Sequence, residues 1–116
     1  MAELEKFVYF HDWYVESLSV GEGERLTLAL RLGDRRVNVS FIQTSRCVVE
    51  HFGTLNIVYD IKLIQQGDPD RDKALALLTK TARTIKPLSR SIAWLTASAG
   101  MELVVEFESL EISEPG

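Results

Sequence analysis

The segment Arg25-Leu26-Thr27-Leu28-Ala29-Leu30-Arg31-Leu32 places a leucine on every second residue. Side chains alternate faces along a strand with a period of two, so all four leucines fall on one side of it and need something to bury them. Gly33-Asp34 follows, a two-residue connection with glycine first, as a type II′ hairpin turn requires. Beyond it Val37, Val39 and Phe41 alternate with Asn38 and Ser40. A period of two on both sides of such a turn fits an antiparallel hairpin with one buried face and excludes a helix. Upstream, Val15–Val20 reads as another strand ended by Gly21-Glu22-Gly23, which makes a three-stranded meander from about Trp13 to Ile42.

Later segments continue the pattern. Cys47–Gly53 fits either a short strand or a single helical turn closed by Gly53. Leu55–Ile64 reads as a strand with Leu55, Ile57, Tyr59, Ile61 and Leu63 on one face. Ile92–Ala97 and Glu102–Glu108 are two more, joined by a turn at Ala99-Gly100. The second runs on to Leu110 and Ile112 with a change of parity that predicts a bulge near Ser109.

One helix interrupts the strands. Asp68 is placed to cap it, Pro69 suits its first position, and Asp70 and Asp72 complement the positive end of its dipole. Leu75, Leu78, Ala82 and Ile85, widened by Ala74, Leu77 and Thr81, form its apolar stripe, and Pro87 stops it. The expected fold is therefore α+β: a mostly antiparallel, curled sheet of about six strands in meander order, with one helix packed on one face. A half-barrel wrapped around that helix is the favoured form. With 116 residues, the chain 1–116 is expected to be a single domain.

Charge and cysteine usage narrow the function classes. A net charge of -4 argues against a general nucleic-acid binder, which needs a basic face. The ionisable residues from Arg71 to Arg90 are nearly all basic (Arg71, Lys73, Lys80, Arg83, Lys86, Arg90), whereas Glu102, Glu106, Glu108, Glu111 and Glu114 close the chain. Cys47 is the only cysteine, which points to a reducing, cytoplasmic setting. No secretory signal and no apolar run of membrane-spanning length are visible, so no membrane partner is expected.

Five of the ten aromatic residues fall between Phe7 and Tyr14, around an adjacent His11-Asp12 pair. Metal-dependent hydrolysis needs more ligands than such a pair supplies, and the only other histidine is His51. The reading favoured here is a loop in which Asp12 bonds backbone amides beside a half-buried His11. Cys47 and His51, four apart, would form a nucleophilic dyad only on a helix with an orienting partner, and none is evident. No catalytic residue, metal site or cofactor is assigned. Phe7, Phe10 and Trp13 are expected mainly in the core, with Tyr9, Tyr14 and Trp94 as interface candidates. Asp60 beside Lys62 simply faces water if its side of the strand is solvated, and the two form a partly buried ion site if the helix covers them. Glu102, Glu106 and Glu108 are expected to share one acidic strand face. The binding candidates are thus His11, Asp12, Trp13, Tyr14, Asp60, Glu102, Glu106 and Glu108.

Phe10-His11-Asp12 followed by Val15-x-Ser17-Leu18 resembles the opening of a group of small bacterial proteins that includes the immunity protein 50 family of polymorphic-toxin systems. Val39-Ser40-Phe41-Ile42, Phe52-Gly53 through Asn56-Ile57-Val58-Tyr59-Asp60-Ile61, and Ser98-Ala99-Gly100-Met101-Glu102-Leu103 through Phe107-Glu108-Ser109-Leu110 are similar to later blocks of that group. Ile42-Gln43-Thr44 departs from its usual small-residue turn. The resemblance implies a non-enzymatic protein that neutralises a cognate toxin by binding it. The alternatives are a small-ligand or enzymatic pocket near His11, Asp12, Asp60 and His51, or a homodimer joined through an edge strand.

Overall fold

The computed structural model describes residues 10–79 and 91–115. Phe7 and Tyr9 lie outside the described residues, as do Lys80, Thr81, Ala82, Arg83, Ile85, Lys86, Pro87 and Arg90 of the expected helix and basic segment.

The hairpin forms as its leucines demand. β1 (Tyr14–Gly21), β2 (Arg25–Leu32) and β3 (Arg35–Ile42) make the meander, with Leu28 facing Val39 and Leu30 facing Val37. Gly33 takes φ +60° while Asp34 stays out of the positive-φ region, the combination a type II′ turn needs. Leu26, Leu28 and Leu30 are buried; Leu32, beside the turn, is 41% exposed.

The ambiguous segment is a strand, β4 (Arg46–Glu50), and it is followed by β5 (Ile57–Ile64), β6 (Ser91–Ala99), β7 (Glu102–Phe107) and β8 (Ser109–Ser113). Among the described residues there are eight strands in one antiparallel, unclosed sheet ordered β4-β7-β6-β5-β1-β2-β3-β8, not about six. The difference comes from a corner. Ile42 faces Ser109 and Arg46 faces Glu106, so β3–β4 and β7–β8 are two long partners that both bend at the same place. Gln43 bends at φ +51°, and the Glu108 amide donates to the Ile42 carbonyl at 3.0 Å. The inward parity changes across Glu108, one residue before the expected bulge, because strands that switch between packed sheet layers must break their alternation there.

Bending at that corner folds the sheet over itself. Inner-face residues of β1, β2 and β3 pack against those of β5, β6 and β7 in one apolar core, and Phe41 meets Phe107 at 5.0 Å between ring centroids. Phe10, Trp13 and Met101 belong to the same core. The helix, α1 (Arg71–Thr79), is therefore not what the sheet wraps around. It lies on the outer face of the β4-β7-β6-β5 half, where Ala74 and Leu78 bury against Ile64, Ile92 and Val104. Leucine-rich strands leave no room for a helix inside the curl; each layer already covers the other.

Asp68 does cap the helix start, its carboxylate accepting the Asp70 amide at 2.9 Å. The next turn closes from the Arg71 amide to the Asp68 carbonyl at 3.0 Å, so regular helix begins only at Arg71.

Candidate functional site

Three places carry the chain's polar and aromatic chemistry. The first is the seam where β1 meets β5. Tyr14 pairs with Ile57, and the Val58 amide reaches the Trp13 carbonyl at 2.8 Å. The Asp12 amide donates to the Val58 carbonyl at 2.9 Å. Trp13 and Val15 turn inward and are buried, which sends Tyr14 outward. On β5 a register shift between Val58 and Asp60 leaves Tyr59 as the extra residue. Val58, Ile61 and Leu63 consequently face the core, and Tyr59 is 58% exposed. The expected single face from Leu55 to Leu63 is broken by that bulge. Its first half, Leu55, Ile57 and Tyr59, points out instead, with Leu55 52% exposed and Tyr14 across the seam 38% exposed.

His11 belongs to this seam. Its Nδ1 lies 2.7 Å from the Tyr59 carbonyl oxygen, which makes Nδ1 the donor, and its ring meets Tyr59 edge-on at 5.4 Å. Nε2 is 3.5 Å from the exposed Asp12 carboxylate. Phe10 and Asp12 both have positive φ, 64° and 69°, an uncommon conformation for such residues. Asp12 thus enters the turn's hydrogen bonding through its backbone amide, while its carboxylate faces His11 and solvent.

The second place is the corner. Glu106 is 1% exposed and takes both Arg46 donors, Nε at 3.0 Å and Nη2 at 2.9 Å, and the Ser45 hydroxyl at 2.6 Å. These hydrogen bonds hold the Arg46 guanidinium above its ordinary range, against the opposing effect of burial. An accessible acidic face built from Glu102, Glu106 and Glu108 does not exist. Glu102 is half-buried and accepts the Trp94 indole N–H at 2.9 Å, Glu106 is sealed, and only Glu108 is exposed. Strand alternation alone could not say that the helix-bearing face is also covered.

The third is a cleft of about 210 Å³ beside the start of α1, lined by Asp60, Lys62, Asp70, Lys73, Trp94 and Thr96. Lys62 spans Asp70 at 2.8 Å and Asp68 at 3.2 Å. Its ammonium is held above its ordinary range first by the Asp70 hydrogen bond, then by Asp68. Asp68 sits below the usual carboxylate range, first because of the Asp70 amide and then because of Lys62. Asp60 and Lys62 both line the cleft beside the helix, but Lys62 is exposed and binds the helix start through Asp68 and Asp70, so the two do not form a covered ion pair. His11, Asp12 and His51 do not line this cleft.

Other sequence candidates separate. Cys47 packs against the core, where burial pushes its thiol up, while His51 follows the end of β4 at φ +60° with its side chain 76% exposed. A strand, unlike a helix, does not bring residues four apart into contact. Among the described residues no three or more His, Cys, Asp or Glu side chains are grouped to hold a metal ion. Among the same residues no helix is long and apolar enough to cross a membrane.

Several residues that carry the family resemblance hold each other. Asn56 is buried; its Oδ1 accepts the Gly53 amide at 3.0 Å and the Met101 amide at 2.9 Å, and its Nδ2 donates to the Gly53 carbonyl at 2.8 Å. Gly100, at φ +78°, has no space for a Cβ, which would strike Asn56 Oδ1 and the Leu55 carbonyl. These positions serve as a clamp between the loop before β5 and the β6–β7 turn, and present no chemistry outward. No family model matches the chain, and no curated protein matches it.

Proposed function

We propose that this chain is a non-enzymatic cytoplasmic protein-binding domain that docks a cognate protein, in the manner of an immunity-type inhibitor of a toxin. The observation that carries the reading is the outward strip at the β1–β5 seam: Leu55, Ile57 and Tyr59 in alternate positions, Tyr14 across from Ile57, and His11 against Tyr59. Phe52, tied to the strip through the Gly53–Asn56 turn, is 54% exposed. Clustered exposed aromatics with adjacent polar groups are the composition of interface hot spots. The toxin-inhibitor part rests on the sequence resemblance alone.

The site has moved relative to the sequence-based candidates. His11 and Tyr14 stay in it, Leu55, Ile57 and Tyr59 join it, and Trp13, Glu102 and Glu106 leave it because they are buried or engaged. The test is co-expression with the protein encoded beside this chain, followed by growth measurement and a binding titration of the purified pair. Protection from a toxic neighbour, lost when Leu55→Ser and Tyr59→Ser are combined in a folded protein, supports the reading. An affinity drop of at least about tenfold is expected for that double variant. A folded double variant that protects and binds like the parent would remove the strip as the docking surface.

A further inference from the structure

The cleft beside α1 holds charge that the fold itself does not consume. Its described lining residues include two carboxylates and two ammonium groups. Lys62 and Asp70 are committed to each other at 2.8 Å, and Asp68 completes their cluster. That leaves Asp60 and Lys73, one free charge of each sign on the same cleft. Among the described residues neither has a hydrogen-bonding or ion-pair partner, and they do not pair with each other although both line the same space. Asp60 is half-buried on the strand floor, and Lys73 is exposed on the helix. A half-buried carboxylate without a partner loses part of its hydration and gains nothing in return, so a cation that enters the cleft meets a group already partly desolvated.

The walls supply the rest of a recognition site. Trp94 is held by its indole bond to Glu102 and by packing against the helix-side core, so it is a preset apolar wall. Thr96 adds a hydroxyl. Among the described residues the lining is balanced in charge, which selects against a simple anion or a simple cation as the best-matched guest. The small volume selects against a nucleotide or a drug-sized ligand.

We propose that this cleft binds a small zwitterion of the amino-acid class, with its ammonium on Asp60, its carboxylate on Lys73 and its hydrocarbon portion against Trp94. This site is separate from the Leu55–Tyr59 strip and does not depend on the docking reading; a ligand here would couple to the rest of the fold through the Lys62 cluster at the start of α1.

The probes are the twenty standard amino acids, with β-alanine and γ-aminobutyrate to read the charge spacing. Each is titrated into the full chain while the Trp94 indole N–H resonance is followed by NMR. The expected result is saturable movement of that resonance with a subset of these compounds. Blocking the tightest binder's amine by acetylation, or its carboxylate by amidation, should weaken binding about tenfold or more in each case, since each removes a charge-assisted contact. Asp60→Asn and Lys73→Met should each weaken the parent amino acid by a similar factor. Asp60→Asn should leave the already weak acetylated compound unchanged. Absence of saturable movement with every probe would overturn the proposal. So would equal binding of the amidated compound and the free amino acid, which would mark a plain cation site. Equal binding by the parent and both variants, folded alike by circular dichroism, would overturn it as well.

Discussion

On the outer face of the β4-β7-β6-β5 half, the Arg46–Glu106 pair and the Lys62–Asp68–Asp70 cluster use the same two kinds of charge in opposite surroundings. At the corner, water is excluded: Glu106 is 1% exposed and Arg46 10%. At the helix start the ammonium is 44% exposed, and the cluster borders an open cleft. Contact distances are alike, 2.9 Å for Arg46 to Glu106 and 2.8 Å for Lys62 to Asp70. Geometry therefore does not separate the two sites; hydration does. A buried carboxylate that loses its partner has nowhere to recover its solvation, whereas an exposed one turns to water. The corner pair is the one the fold cannot do without, and the cluster at the helix start is the one it can spare.

The largest effect is expected at the corner. Glu106→Ala strands Arg46 and the Ser45 hydroxyl, and should cost about 3–5 kcal/mol in urea unfolding. Loss below about 1 kcal/mol would mean that water already reaches the corner. The double replacement Arg46→Met with Glu106→Leu should recover most of that loss, since two apolar groups in place of a buried pair are often neutral or better. If the double variant is as unstable as the single, the pair's role is geometric, pinning the bend between β3 and β4. A smaller effect belongs to the acid limb of stability. Asp68 is held below its ordinary range in the folded state, so its contribution is present above the unfolded carboxylate pKa and is lost as pH falls through the folded one. Asp68→Asn keeps a capping side chain but cannot titrate, so it should lose a small contribution at neutral pH, flatten the fall in stability below pH about 4 and converge with the parent in acid. An unaltered acid limb would show that Asp68 does not differ between states. The smallest effect is expected for Lys62→Met, which should leave the unfolding midpoint at neutral pH within error and insensitive to salt. A clear loss there would erase the contrast with the corner.

Glu106 also shows why part of this molecule was unreadable in advance. Period-two patterning places Glu102, Val104 and Glu106 on one side of β7, and alternation by itself makes a charged side look solvated. Here that side carries the helix, so Val104 is core and Glu106 is sealed. Tyr59 is the reverse case. Its pattern reads as core, but a one-residue bulge turns Leu55, Ile57 and Tyr59 outward and lets Val58 and Ile61 take the interior. A bulge costs one residue of register and leaves no compositional mark when the residues on both sides are apolar. The site followed the same logic. His11, Tyr14 and Asp60 are visible as chemistry in the sequence, whereas Leu55 and Tyr59 read as one face of an apolar strand and Lys73 as one of a run of basic residues.

The antiparallel character, the β1–β2–β3 meander with its Gly33-Asp34 turn, the cap at Asp68 and the parity change near Ser109 all follow from local sequence. Each depends on residues within a turn or two of one another, where backbone sterics and side-chain alternation act without knowledge of the rest. The eight-strand count, the helix on the outside, the sealing of Glu106 and the placing of Asp60 and Lys73 on one open cleft were settled only when the sheet bent at the corner and closed its two halves over one core. Burial is decided by what lies on the other side of a face, and for this chain the other side is supplied by residues dozens of positions away.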